Sequence, residues 1–440
     1  MSSKSGSDVA IIGAGVSGLT AAYALARAGR KVDVFEQRDQ IGGLARSTHL
    51  NGSKVDRYYH FVCGGDHHLR ALLPELGIDN RLHWVAGPTS YYVRGKLYPF
   101  TTPLDILGFS PLSLMSRVRF GLHGMNARRF TDWGRIEHLT AEQWLVEGMG
   151  RQAYETIWLP LLRMKFGNNA GSVSAPWIWH RIHRVLTSRA SIFQPERLGY
   201  IEGGTGTLLD ALREQVEAAG GALHTATPVR GLLETGGAIT GLITDQGDFQ
   251  ARCVISTAAL PDLSILLPDS ARDYRADLDG VGFLGVVCLM LRLKKPVTPY
   301  FWVNVNDPRA PFSGFIEYAN LNHTALPNGE GLLYIPLYLP VDDPRFILPE
   351  PELVAQVVDG LEALFPGFGA GMMVEAVVTR DSYAQAFCPP GFSAKIPAIQ
   401  SPLPGLFITD STQLYPADRN VSGMIGLARD AAAQANAYLA

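Results

Sequence analysis

Cysteine is scarce in this chain: four residues in 440, at positions 63, 253, 288 and 388, with no CxxC pair among them. That excludes a disulfide framework and the metal sites built on paired thiolates. Scattered single thiols are expected to be buried and free, which suits a reducing compartment and a cytoplasmic location. Charge is also sparse. Only 18% of residues are charged and the formal net charge is −3, so there is no electrostatic footprint for nucleic acid. Nowhere do 18 apolar residues run together, which leaves no candidate for a membrane-spanning helix. The opening Met1-Ser-Ser-Lys-Ser-Gly-Ser is polar and lacks the apolar core of a secretory signal. What the chain does have is apolar content of 47%, enough for a globular protein. Its length is too great for one simple core and predicts two domains.

The most informative stretch lies near the start. Asp8 to Ile12 is a short apolar run with strand character. Gly13, Ala14, Gly15, Val16, Ser17 and Gly18 follow as GxGxxG, and an Ala/Leu-rich helical stretch runs to about Ala28. Gly29 closes the helix, and Lys31 to Glu36 reads as a second strand ending in an acid. This order is the β-α-β fingerprint of dinucleotide binding. Gly13 allows the tight turn, Gly15 admits a pyrophosphate to the backbone, and Gly18 lets helix and strand pack. The helix N-terminus offers unpaired N–H groups and partial positive charge to phosphates. Glu36, 18 residues beyond Gly18, is placed to accept hydrogen bonds from a ribose. Gln37 and Arg38 lead from it to a second glycine turn, Gly42-Gly43-Leu44-Ala45-Arg46. Two glycines and an arginine three residues on can lay a second backbone turn along the same dinucleotide and pair with phosphate.

With both turns present, the chain resembles the glutathione-reductase-like FAD proteins of the flavin amine oxidase, protoporphyrinogen oxidase and phytoene desaturase group. The resemblance implies an α/β fold: a Rossmann-like FAD-binding domain built from discontinuous segments, and a substrate domain of mixed or antiparallel sheet and helices. The implied division is 1–70, 195–262 and 385–440 for FAD, and 71–194 and 263–384 for substrate. Gly199 to Thr257 carries the same order as the family: a GG turn, a helix, a strand reaching Val229, a β-meander, and VIxTA ending at Thr257. In the family, the residue matching Val229 contacts the adenine. Gly405-Leu-Phe-Ile-Thr-Asp410 resembles the family's closing GLFxAGD, with Asp410 in the acid position and Thr409 where glycine is usual. Ser422, Gly423 and Met424 then open a helix toward the flavin pyrimidine. The loop lacks the cysteine used for covalent attachment, so the FAD is expected to be noncovalent.

Two residues stand out as candidates for catalysis. His60, in Val55-Asp-Arg-Tyr-Tyr59-His60-Phe61, occupies the family's flavin-facing strand, with Tyr59 and Phe61 beside it; a structural histidine is the competing reading. Lys165 sits in an apolar stretch, Leu162-Arg-Met-Lys165-Phe, where burial would tune it for proton or anion chemistry; snorkelling from a packed helix is the other reading. Trp302, Tyr318 and Tyr334 lie on predicted strands and are candidates for an apolar substrate pocket, or for core. Amine oxidases carry a lysine after the VIxTA strand; residues 258–267 here contain none. That moves weight toward a bulky, largely apolar small-molecule substrate losing hydride from a C–N or C–C unit. A redox-neutral isomerase resembling UDP-galactopyranose mutase is the alternative, and a noncatalytic protein resembling Rab GDP-dissociation inhibitor is a third. Leu104 to Met125 mixes apolar residues with Arg117 and Arg119, and reads either as a helix over a tunnel or as a peripheral membrane contact. The oligomeric state is not legible.

Overall fold

The computed structural model describes residues 6–50, 52–187 and 196–440. The polar opening residues 1–5 and the expected domain boundary at 194–195 lie outside them. Two seven-stranded sheets organise the molecule. In the first, the strand Ser7–Ile12 lies between Gly247–Ser256 and Val32–Phe35, parallel to both. Ala222–His224 extends the parallel set beyond Val32–Phe35, and Leu406–Ile408 joins on the far side of Gly247–Ser256. These strands are buried on both faces, as parallel sheets must be. The strand Gly247–Ser256 has two partners along its length. Its first half pairs antiparallel with Ala238–Thr244, completing the β-meander, and its second half enters the parallel sheet. The helix Val16–Arg27 packs on the helix Val421–Tyr438, with Ala21, Ala22 and Leu25 meeting Ala428, Ala431, Ala432 and Ala435 in one core. Small side chains let the two backbones approach closely.

The second sheet runs in the order Met373–Ala386, Phe283–Leu293, Gly331–Leu339, Gly314–Glu317, Trp302–Asn306, Thr89–Val93 and Lys96–Pro99. All its pairings are antiparallel except Trp302–Asn306 with Thr89–Val93. Strand alternation divides its side chains cleanly. Leu333, Ile335, Leu337 and Leu339 pack with Val303 and Val305 under the helix Glu350–Leu364. Leu332, Tyr334 and Tyr338 face the other way with Cys288, Met290 and Trp302, toward Tyr59 and Phe61. The register therefore decides which aromatics approach the fingerprint segment.

Between Ala141 and Thr187 the chain is almost wholly helical. A π-helical turn at Tyr154–Trp158 passes into the helix Leu159–Phe166, which has Pro160 in its first turn, where no N–H is needed. Earlier, Pro103–Gly108 and Leu114–Arg129 are separate helices. All four cysteines are buried and free.

Candidate functional site

The first half of the site is made by backbone. Gly13 takes a positive φ of 96° and donates its N–H to Phe35 O at 2.8 Å. The following turn meets the second glycine turn directly: Gly15 and Gly42 form a bridge, and Gly42 N donates to Ala14 O at 2.8 Å. A Cβ on Gly18 would lie 1.9 Å from Gly13 O, so only glycine lets this helix sit against its strand. Thr257 Oγ1 closes the turn from below, donating to Ile12 O at 2.8 Å. Glu36 is buried. Its carboxylate accepts from Ala14 N at 2.9 Å and Arg38 N at 3.1 Å, tying both turns together. The loop leading to Val229 is bound to the same acid's neighbourhood through Thr227 N to Glu36 O at 2.8 Å and Ala226 N to Arg38 O at 2.7 Å.

This cradle fits a dinucleotide. The helix Val16–Arg27 begins at Gly15 with no side-chain cap, so its first N–H groups remain available to phosphate oxygens. A Cβ on Gly15 would meet nothing nearer than 3.9 Å, which leaves room above the turn. Thr409 Oγ1 is fully buried with no partner. Asp410 accepts from Thr412 N at 2.8 Å, and burial raises its pKa despite the backbone donors around it. The terminal helix has a cap that the sequence reading missed: Asn420 Oδ1 accepts from Gly423 N at 2.7 Å. Ser422 Oγ accepts from Leu69 N at 3.2 Å, docking the helix Val421–Tyr438 onto residues 67–75. Arg46 also has a partner that its motif did not announce. With Arg38 and Arg57 it surrounds Asp381, at 3.5 to 3.7 Å, and Tyr58 donates to the same carboxylate at 2.6 Å.

The second half is made by side chains drawn from distant segments. Asp56 accepts from both the N–H and the hydroxyl of Thr205, at 3.0 and 2.8 Å. His60 Nδ1 stands 3.6 Å from the same carboxylate and has no hydrogen-bond partner. Two of the three candidate aromatics are buried beneath this segment. Tyr334 is 0% exposed and donates to Asp56 O at 2.6 Å; Tyr318 is 4% exposed and donates to His60 O at 2.9 Å. Tyr318 borders a narrow cavity with His60, Phe61 and Val421. Both hydroxyls hold the 56–60 segment through its backbone carbonyls. Trp302 remains half-buried, edge-on to Tyr59 at 5.4 Å and Phe61 at 6.5 Å.

Lys165 lies over the rings of Trp177 and Tyr338, at 4.7 and 4.8 Å, and pairs with Asp418 at 3.4 Å. Burial pushes its pKa down to about 7, assisted by Arg181 and Arg419 and opposed by Asp418. Arg181 reaches the same Asp418 oxygen at 2.7 Å. Arg419 donates to Gln385 Oε1 at 2.7 Å and to Tyr338 OH at 3.1 Å. Burial works against ionisation of Asp418, yet the three cations outweigh it and hold the carboxyl below its ordinary range. Tyr59 joins the halves: burial and then Tyr338 raise its pKa, while Arg419 and Arg181 oppose them. His60 and Lys165 do not bond one another; each sits on its own acid. Asp418, Arg419 and Arg181 were missed in the sequence, although Asp418-Arg419-Asn420 stands directly before the expected helix start.

Comparison with known proteins agrees with this geometry. The family described as "Flavin containing amine oxidoreductase" matches residues 16–432. The chain belongs to that family. Its cofactor class is therefore a flavin and its reaction class oxidoreduction. Protoporphyrinogen oxidase 2 of Arabidopsis thaliana is 34% identical over 118 residues, 26% of this chain and 23% of the relative. The 15-cis-phytoene desaturase of Synechococcus elongatus is 22% identical over 318 residues, 66% of each chain. The matched stretches thus span about a quarter to two thirds of these relatives. Among solved structures, putrescine oxidase bound to putrescine superposes with a TM-score of 0.71 at 19% identity, covering 98% of this chain and 99% of the other. Reduced UDP-galactopyranose mutase superposes with a TM-score of 0.70 at 17% identity, covering 88% and 84%. At such identities the likeness establishes the shared fold.

Proposed function

We propose that the protein is an FAD-dependent oxidoreductase that removes a hydride from a C–N or C–C unit of a small-molecule substrate with a bulky apolar body. The observation that carries this reading is the contact of the two glycine turns, Gly15 on Gly42, above an uncapped helix N-terminus. Residues 13–18, 36–38, 42–46, 229 and 257 would hold the adenosine and diphosphate. Asp410 and residues 422–424 would hold the flavin end, with segments 1–70, 195–262 and 385–440 forming the FAD domain and the remainder presenting substrate. Bound FAD supplies a hydride acceptor. The chain's own part is positioning and proton handling. Tyr59, Phe61 and Trp302 form an apolar wall that excludes water. Lys165, with a pKa near 7, can hold or release a proton at neutral pH, and His60 stands within reach of Asp56. The protein should purify yellow, with acid precipitation releasing the flavin, which tests both FAD and its noncovalent binding. A colourless protein would reject the reading, and a coloured one rejects a noncatalytic binding role.

A second reading, redox-neutral isomerisation, draws support from the cationic cluster around Asp418 and the fold shared with the mutase. Anaerobic mixing separates the two: an oxidoreductase is bleached by its substrate, whereas an isomerase turns substrate over only when reduced beforehand.

Peripheral attachment to a bilayer is also proposed, for a protein residing in the cytoplasm. Among the described residues no helix is long and apolar enough to cross a membrane. The helices Pro103–Gly108 and Leu114–Arg129 nevertheless turn Leu104, Leu107, Leu114, Met115, Leu122 and Met125 outward, with Leu104 72% and Met115 70% exposed. Arg128 and Arg129 end the longer helix, and the one acid, Asp105, is spent on a helix cap. Apolar side chains with flanking arginines suit an anionic lipid surface.

A further inference from the structure

We propose that the substrate carries an anionic oxygen group, a carboxylate or a phosphate, and that the cluster of Lys165, Arg181 and Arg419 receives it. The proposal rests on the flavin reading of the cavity and names the substrate class within it. Three cations share a single carboxylate. Lys165 and Arg181 both spend their contact on one oxygen of Asp418. Arg419, the next residue in the chain, turns away from it to two neutral groups, Gln385 and Tyr338. The other groups packed here are Tyr59, Tyr338 and Trp177, and none of these supplies a negative charge at neutral pH. Arg184, three residues on from Arg181, does not change the sum, because Asp66 at 3.4 Å and Glu196 nearby balance it separately. The cluster therefore holds one positive charge in excess, or two when Lys165 is protonated, in a largely desolvated place where unpaired charge is costly.

A second observation points the same way. Trp177, whose ring lies beneath Lys165 and Arg181, is 2% exposed, and its indole N–H has no acceptor. A buried donor without a partner, set among surplus cations, lacks the acceptor oxygens that an anion brings. Burial is the main cause of the lowered pKa of Lys165, and Arg181 and Arg419 add to it. The cluster also excludes a ligand class. An ammonium group such as those of putrescine would meet like charge on three sides. The fold shared with an amine-binding oxidase does not extend to the ligand, and the anion-bearing substrate is set apart by these side chains.

The competing occupant is the flavin itself, since Arg419 directly precedes Asn420 at the cap of the terminal helix. The test uses the flavin-bearing holoenzyme titrated with sodium benzoate, inorganic pyrophosphate or 1,4-diaminobutane at constant ionic strength. The visible flavin spectrum and the melting temperature are both followed. Saturable perturbation by one of the two anions is expected, with the diamine inert; which anion binds distinguishes carboxylate from phosphate. Arg181→Gln and Lys165→Met should weaken that binding at least tenfold. Asp418→Asn should tighten it, because the competing negative charge is gone. The opposite signs exclude a general loss of folding as the cause. The proposal is overturned if neither anion gives a saturable change in spectrum or melting temperature, or if the diamine alone does. It is likewise overturned if the variants shift the free holoenzyme's flavin spectrum but leave anion affinity unchanged, which would assign the cations to the cofactor. Should the protein carry no flavin, the oxidoreductase reading fails, and the melting-temperature arm still decides anion binding.

Discussion

The two ends of the cavity are built by different means. The nucleotide end is a backbone device in which Gly13, Gly15, Gly18, Gly42 and Glu36 lie within one short stretch and bond one another through main-chain groups. The proposed substrate end is a side-chain device. Lys165, Arg181, Tyr338 and Asp418 come from four separate elements and meet only in the finished fold. The backbone device tolerates little change at Gly13, Gly18 and Gly42, where an added Cβ would meet an atom at 1.9 to 2.7 Å. The side-chain device can be retuned one residue at a time. Fold alone does not set the reaction, and the side-chain device is where this chain can differ from others of the same fold.

The largest expected effect falls on the first device. Gly18→Ala places a methyl group 1.9 Å from Gly13 O, against backbone that cannot move aside. Soluble yellow protein should be lost, as measured by yield and flavin content. Recovery of wild-type flavin occupancy would erase the contrast between the two ends. Next comes the support beneath the substrate end. Tyr334→Ala empties a fully buried site and removes the donor to Asp56 O, at a cost of about 3–5 kcal/mol in chemical denaturation. A cost below about 1 kcal/mol would return Tyr334 to the pocket wall.

Glu36→Ala should weaken FAD retention by roughly ten- to a hundredfold, the worth of about 1.5–3 kcal/mol in charge-assisted bonds. Equilibrium dialysis gives the number, and unchanged affinity would remove Glu36 from the ribose. Lys165 sharpens the comparison through pH. Its folded pKa is about 7 against an ordinary 10.5. Between these values the unfolded chain binds more protons, so stability rises with pH across that window, and the full penalty is present below 7. The slope reaches about 1.4 kcal/mol per pH unit for one group. Lys165→Met should flatten the rise in denaturation curves taken from pH 7 to 10; an identical slope would show that the lysine is not desolvated. The smallest effect on stability is expected for Trp302→Ala, at about 1 kcal/mol, with its consequence appearing in KM instead.

The same contrast governs how much the sequence disclosed. Gly13 to Arg46 was legible because its determinants are contiguous and each glycine has a local steric reason. The strands of the second sheet were legible from alternation, although Met373–Ala386 runs well past the expected end at Thr379. Tyr318 and Tyr334 were read as either pocket or core, and the sequence could not choose between the two. Alternation tells which side of the sheet a ring takes, not whether a loop such as 56–60 already covers that side. Asp418 and Arg419 were passed over because a charge pair in a loop carries no local signature, and its meaning depends on Lys165 and Arg181, more than 230 residues earlier.

The pairing of Leu406–Ile408 with Gly247–Ser256, and of the terminal helix with Val16–Arg27, bears on when the protein matures on the ribosome. The fingerprint turn is translated long before the strand that joins its sheet and the helix that packs against its own. Until that helix is made, the Ala-lined face of Val16–Arg27 lacks the partner it packs against in the finished fold.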